Sequence, residues 1–495
     1  MRNGPRQRRP LAPGRALARG IALAAIITFA PRVQAQLPRV QVPNLPGVEL
    51  PTTVADTAGR VGNAVGDVAG RVDRLADLRR LRVDELLRTQ RAAVERDPAG
   101  QPILRAEIVS FDPTDAALDR ARTAGFQVTR ERVLEGLGSR VVVLRAPEGM
   151  NTRRALARMR DLDPQGAYDY NHIYLDSGVV SGTAGAGAMA RPPVRGTESH
   201  AIAGNAVAIG EPRAAAIRFA AAGESSVAAS PNAAAFKVGL VDGGVDITHP
   251  VFKGAVIHQY GCEGKPVPSP HGTAVASLLV GKSDPFSGAA PGAELFAADV
   301  YCGAGTGGAA DAVVDAIAWI ARQHVAVINV SLVGPKNMLL ENVVRLVIAR
   351  GHVIVAAVGN DGPAAPPLYP ASYPDVVGVT GVDARRKVLL EACRGKQVDF
   401  AAPGADMAAA ELSPTFAAVR GTSFAAPIVA GLLASALHEP DRAAASHAIE
   451  ALASQAVDLG SHGVDKTYGA GLVGDAVRTQ AALALASSPG AARRN

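Results

Sequence analysis

The segment GTSFAAPIVAG, Gly421 to Gly431, sets a Ser at the start of a helix paved with small residues. A hydroxyl there gains from the positive end of the helix dipole, and its own backbone N–H faces any oxyanion that forms, so Ser423 is a candidate nucleophile. Ala425, Ala426 and Ala430 let the helix pack closely beneath a cleft. An isolated Gly-Thr-Ser turn would read as an ordinary helix cap, so the rest of the chain has to supply a base and a carboxylate to orient it. FKVGLVDGGVD, Phe236 to Asp246, reads as a short buried strand ending in a Gly turn, which leaves Asp242 at the carboxyl end of the strand. HGTAVASLLVG, His271 to Gly281, reads as a helix that opens on His271 and turns Val275, Leu278 and Leu279 inward.

In the chain order Asp, His, Ser, these motifs resemble the subtilase family of subtilisin-like serine proteases, and the order separates them from trypsin-like enzymes and α/β-hydrolases. The resemblance implies that Ser423 attacks the scissile carbonyl, that His271 carries the proton to the leaving amine, and that Asp242 holds the imidazole in the required tautomer. It also implies that Asn360, in VAAVGNDGP, joins Ser423 in the oxyanion hole. INVSLVGP, Ile328 to Pro335, resembles the segment that pairs with extended substrate and walls the primary specificity pocket, which makes Ser331, Leu332, Val333 and Gly334 the substrate-binding residues.

Three positions depart from the family pattern. Gly243 stands where Ser or Thr is usual after the Asp, which removes a side-chain hydrogen bond to the Asp242 carboxylate. Val333 replaces a Gly and is expected to narrow the pocket, and Ile428 replaces a second His as a packing residue. Asp246 and His249 read as turn residues rather than metal ligands, and Gly303 to Gly308 as a surface loop.

Strand-like runs near Phe236, Leu295, Val325, Val353 and Val376 alternate with helical ones, which predicts an α/β domain over 236–495 with a mostly parallel central sheet covered by helices on both faces. Before it, strands at Ile103–Asp112, Phe126–Glu135, Arg140–Ala146 and Tyr168–Leu175, with helices at Pro113–Gly125 and Asn151–Asp163, give the order β-α-β-β-α-β of a small α+β ferredoxin-like module over 101–176. Its place directly before the catalytic domain implies, by the same resemblance, an inhibitory prosegment. Residues 177–235, rich in Gly, Ala, Ser and Pro, read as a linker with the processing region, in which Pro212 to Ala222 could form a short helix. Residues 36–100 read as a helical or flexible extension, in which Val61, Val65, Val68, Val72 and Leu75 trace one helical seam.

Residues 1–35 have the layout of a secretory signal, with arginines, an apolar stretch from Ile21 to Ala30 and a cleavage point after Ala35. That stretch is too short to span a bilayer, so the expected product is exported, to an extracellular or periplasmic location, with no stable membrane span. Export makes oxidation available, so Cys262 and Cys302, in the loops around the His271 helix, are predicted to form a disulfide, with Cys393 left over. Residues 1–235 hold 32 Lys and Arg against 23 Asp and Glu, and residues 236–495 hold 19 against 22, so the net charge of +6 belongs to the signal and prosegment and gives no sign of a nucleic-acid partner. The expected partners are protein or peptide substrates and the chain's own prosegment. No cofactor is required. Calcium is common in the loops of the family, and no Asp-rich loop with regular oxygen spacing stands out here. Two other readings stay open: a catalytically impaired binding protein of this fold, and a hydrolase of small esters or amides.

Overall fold

The computed structural model describes residues 79–181 and 236–480. The signal, the valine seam, the short helix over 212–222 and most of the linker lie outside the described residues.

The first described element is helix α1, residues 79–89, which leads into β1 (Val94–Arg96). The module follows as β2 (Pro102–Phe111), α2 (Asp115–Thr123), β3 (Gln127–Leu134), β4 (Ser139–Arg145), α3 (Thr152–Leu162) and β5 (Ala167–Asp176). Its helices start where a side chain can satisfy an orphan amide: Thr114 accepts from Ala117 N–H and Asn151 from Arg154 N–H. The strands run antiparallel in the order β5-β2-β4-β3, the ferredoxin-like arrangement, with β1 added alongside β2. Alternation along the strands splits their apolar residues between two faces. Ile108, Val142 and Leu144 pack with Leu118, Leu156 and Met159 of α2 and α3, whereas Val109, Val141 and Val143 point the other way.

After β5 the chain continues as β6 (Val179–Ser181). The large domain then builds β7 (Lys237–Asp242), β8 (Ile257–Tyr260), α4 (Pro270–Val280), β9 (Glu294–Asp299), β10 (Gly308–Ala309), α5 (Ala310–Arg322), β11 (Val327–Val330), β12 (Leu332–Val333), α6 (Met338–Ala349), β13 (Val353–Ala357), β14 (Val377–Val382), β15 (Phe400–Pro403), β16 (Met407–Ala410), β17 (Phe416–Arg420), α7 (Thr422–Ala436) and α8 (Arg442–Ser454). Seven of these strands form a parallel sheet in the order β15-β14-β13-β11-β7-β9-β8. Along β13, Val353, Val355 and Ala357 enter the core under α4 and α7, while Ile354 and Ala356 enter the core under α5 and α6. Such strands are apolar on both faces because helices cover both. The expected fold class holds.

The order reverses around β7, since the chain moves from β7 out to β9 and then back across to β11. A crevice opens at the carboxyl ends of the strands at such a point. Asp242 ends β7, Asp299 ends β9, Ser331 follows β11 and Asn360 follows β13, so the sheet gathers these side chains at one edge.

Candidate active site

Asp242 and His271 meet in the crevice. His271 is the second residue of α4, after Pro270, and the helix is capped by Ser269, whose Oγ accepts from Gly272 N–H at 2.9 Å. Its Nδ1 lies 2.9 Å from Asp242 Oδ2 and 3.0 Å from Oδ1. Burial works against a charged imidazole, but the neighbouring carboxylate outweighs it by charge and hydrogen bond, so His271 titrates above its ordinary value. The Gly243 backbone N–H donates to Asp242 Oδ1 at 2.7 Å. Side-chain help from position 243 is excluded for a steric reason: a Cβ there would sit 2.3 Å from Ser269 Oγ. The helix cap occupies the space, and the backbone amide holds the carboxylate.

Ser423 is the second residue of α7, a helix buried almost all round. Gly421 precedes it at φ 145, a conformation that favours glycine. Pro427 inside the helix has no N–H to give to the Ser423 carbonyl one turn earlier. The Ser331 hydroxyl replaces it, donating to Ser423 O at 2.9 Å, and Asn329 Nδ2 donates to Ser331 Oγ at 2.8 Å. The Ser423 hydroxyl donates to the Ser331 carbonyl at 3.2 Å and lies 2.5 Å from Ser177 Oγ. His271 Nε2 is buried without a hydrogen-bond partner. Asp242 and His271 are thus joined, while the Ser423 hydroxyl is held by Ser331 and Ser177. A hydroxyl at a helix N-terminus beside a buried Asp–His pair has the parts for nucleophilic attack on a carbonyl, with the proton passing to the imidazole.

Asn360 follows β13. Its Oδ1 accepts from Thr422 N–H at 3.1 Å, which turns Nδ2 toward the crevice. Leu332 and Val333 form β12 and pair antiparallel with Asp176 and Leu175 of β5. Gly334 bridges to Tyr369, and the absence of a Cβ lets the Tyr174 ring lie against it, since a Cβ would approach that ring to 2.5 Å. Tyr174 then donates to the Pro335 carbonyl at 2.9 Å.

Several residues of the site carry no signal readable in the sequence. Gly308, expected to close a surface loop, instead forms β10 with Ala309, and the two pair with Tyr174 and Ile173 of β5. The end of β5 therefore runs between β10 and β12. Beyond it Ser177 reaches Ser423, and Val179, Val180 and Ser181 pair with Arg420, Val419 and Ala418 of β17. Arg79 and Arg82 of α1, with Asp361 and Glu391, line the same cleft of about 460 Å³.

Cys262 and Cys302 are joined in a disulfide. Among the described residues they form, with Asp299, the one acidic or sulfur cluster of metal-binding dimensions, but their sulfurs are bonded to each other. Asp299 is instead used by backbone, accepting from Val267, Tyr301 and Cys302 N–H. Cys393 is buried, which pushes its thiol up to about 12 and keeps it protonated and unreactive. His249 Nδ1 accepts from Val251 N–H and Asp246 Oδ1 from Thr248, both as local turn contacts.

A seven-stranded parallel sheet with helices on both faces, bearing an Asp–His pair and a helix-borne Ser at one crevice, defines a doubly wound α/β fold of serine-protease character. The Subtilase family profile matches residues 233–471. Subtilisin DY of Bacillus licheniformis is 32% identical over 249 residues, which cover 48% of this chain and 88% of that protein. Subtilisin E of Bacillus subtilis (strain 168) is 31% identical over 246 residues, covering 48% of this chain and 64% of that protein. Among solved structures, fervidolysin from Fervidobacterium pennivorans, described as a keratinolytic enzyme related to subtilisin, superposes with a TM-score of 0.57 at 20% identity, covering 77% of this chain and 61% of the other, which bears on the fold alone. The chain belongs to the subtilase family and is a subtilisin-like serine endopeptidase, of a kind that needs no organic cofactor.

Proposed function

We propose that the chain is an exported endopeptidase made as a self-inhibited precursor, with Ser423 as nucleophile, His271 as general base and acid, and Asp242 as the group that fixes and stabilises the imidazole. The observation that carries this reading is the path of residues 173–181 through the cleft. Strand β5 is hydrogen-bonded on both sides, to β10 and β12, as an extended substrate would be, and β6 continues along β17 beyond Ser423. Tyr174, Leu175, Asp176 and Ser177 occupy the positions leading up to the reacting bond. Val179 begins the pairing on the far side.

The bond this register presents to Ser423 is Ser177–Gly178. The Ser177 carbonyl oxygen and Asn360 Nδ2 both border the space above Gly421, 2.7 and 3.0 Å from where a Cβ would stand. In the proposed reaction Ser423 Oγ attacks the Ser177 carbonyl carbon while its proton moves to His271 Nε2. Asn360 Nδ2 and the Ser423 N–H donate to the developing oxyanion. The proton then passes to the Gly178 nitrogen as the bond breaks, and water hydrolyses the acyl-enzyme. The unpartnered His271 Nε2 fits a resting precursor in which Ser423 has not yet turned toward its base. Protein and peptide substrates follow the same path. The Cys262–Cys302 disulfide supports an oxidising, exported setting.

The test is Ser423→Ala in the full chain, produced in a host without other extracellular proteases. Wild type is expected to yield a product beginning at Gly178, and the variant to accumulate uncut with its fold intact and turnover lower by several orders of magnitude. A variant cut at the same bond would assign processing to another protease. One that retained peptidase activity would remove Ser423 from its role.

A further inference from the structure

Helix α1 lies outside the β-α-β-β-α-β module, in a stretch that precedes it. Arg79, Arg82, Val83, Leu86 and Gln90 recur at steps of three and four, so they share one face of α1. Gln90 stays on the helical path because its N–H donates to the Leu86 carbonyl at 2.8 Å. That face is turned to β5. Leu86 packs on Ile173, while Arg82 donates to the Asp176 carbonyl at 3.2 Å and pairs with the Asp176 carboxylate at 2.5 Å. The two anchor points bracket Ile173–Asp176, the stretch that β10 and β12 hold from either edge.

Both ends of the face pass beyond β5. At one end Arg79 divides its guanidinium between Gln101 of the module at 3.3 Å and Asp361, on the loop after β13, at 3.4 Å. At the other end Gln90 lies against Gly305 in the loop before β10, where a Cβ on the glycine would stand 3.1 Å from the Gln90 amide nitrogen. Helix α1 therefore crosses β5 and touches the large domain on both sides of the groove. Strand β1 fixes the helix in that place, since Arg96 pairs with Asp84 and Val94 packs on Leu86.

A cut at Ser177–Gly178 breaks none of these contacts, because the bond lies past Asp176. A strand held only at its edges leaves once its backbone pairs open. One backed by a helix must also give up the contacts at Asp361 and Gly305, and the helix keeps it extended, so little chain freedom is regained until the whole unit departs.

We propose that α1 is a latch that keeps the module in the groove after self-cleavage, so that release of α1 sets when the enzyme becomes active. The inference rests on the maturation reading above. Arg79 and Arg82 depart with the module, so substitutions there yield a mature enzyme of wild-type sequence, which separates the grip of the latch from catalysis.

The experiment follows full-chain precursors of wild type, Arg79→Gln and the double variant Arg79→Gln with Arg82→Gln in dilute solution. A denaturing gel reads the cut and a fluorogenic peptide reads activity. In wild type the cut is expected to precede activity. The interval between them should shorten about threefold in the single variant and about tenfold in the double variant, with the final turnover unchanged. Cutting requires a folded site, so the gel also reports folding, and Arg79→Gln, a change at the first turn of α1, carries the test if the double variant is not cut. An interval equal to wild type in every variant that is cut, or wild-type activity that rises together with the cut, would overturn the latch while leaving self-cleavage intact. A wild-type chain that gains activity without a cut at Ser177–Gly178 would overturn both.

Discussion

The two sheets of this molecule solve the burial of their faces differently. The parallel sheet of the large domain is covered by its own helices, α4 and α7 on one side and α5 and α6 on the other. The module sheet covers one face with its own α2 and α3, and sets Val109, Val141 and Val143 of its other face against Val313, Ile317, Leu340 and Val344 of the large domain. Polar contacts at this second face include Arg130, which pairs with Asp311 of α5 at 2.9 Å and with Glu107 of β2 at 2.7 Å, while Asn171 donates to both carboxylates. Arg132 adds a pair with Asp315 at 2.7 Å. A self-sealed core suits a part that must persist. A borrowed face suits a part that binds a partner, and here Arg130 and Arg132 of β3 meet Asp311 and Asp315 of α5 across it.

That contrast would be sharpened most by Asn360→Ala. The change deletes the proposed oxyanion donor and the acceptor for Thr422 N–H, so kcat should fall by about a hundred- to a thousandfold while the thermal midpoint falls only slightly. Steady-state kinetics beside a melting curve measures both, and a fall in midpoint without a loss of turnover would remove Asn360 from the chemistry. Next in size, Cys262→Ser with Cys302→Ser opens a loop of 40 residues wholly inside the large domain. Unfolding of the mature enzyme in denaturant should become easier by about 3–4 kcal/mol, while the grip of the module is unaffected. Smaller again, Arg130→Met leaves Glu107 and Asp311 side by side without their cation, so the module should inhibit the enzyme about tenfold less tightly with turnover unchanged. An unaltered inhibition constant would mean that the apolar contacts alone hold the module.

The same division governs what the sequence made legible. Elements whose signal is local came through: β7, β9, β11, β13 and β14 of the parallel sheet and the strands and helices of the module fall within a few residues of the periodic runs, because alternation and helical spacing record burial directly, whereas the two edge strands β8 and β15 were not among those runs. Asp242, His271, Asn360 and Ser423 lie in such local motifs, each at the end of a strand or the start of a helix. What did not come through depends on pairing between distant segments. Nothing in Gly308–Ala309 or in Leu332–Val333 states that β5 will run between them, since sheet edges bond through backbone atoms that every residue shares. The reason for Gly243 was hidden for a similar cause: it lies in Ser269, distant in sequence and close in space. Arg79 and Arg82 looked like ordinary basic residues of an extension, and only the packing of α1 on β5 brings them into the cleft.

The smallest expected effect concerns pH and tests whether the Asp242–His271 pair belongs to the large domain alone. Asp242 raises the affinity of His271 for its proton through a contact that involves no module residue, whereas Asp176 of β5 and Arg82 of α1 act on the same imidazole with opposite signs. In the proposed maturation both of those leave, so the Asp242 contribution should remain. His271 must be neutral to accept the Ser423 proton. Activity of the mature enzyme is therefore lost as pH falls through a pKa above the ordinary imidazole value, and is full above it. Asp242→Asn removes the carboxylate, so the acid limb of kcat/KM should move to lower pH even as the maximum falls. Profiles of wild type and variant on one peptide measure the shift, and an acid limb that stayed in place would assign the titration to a group other than His271.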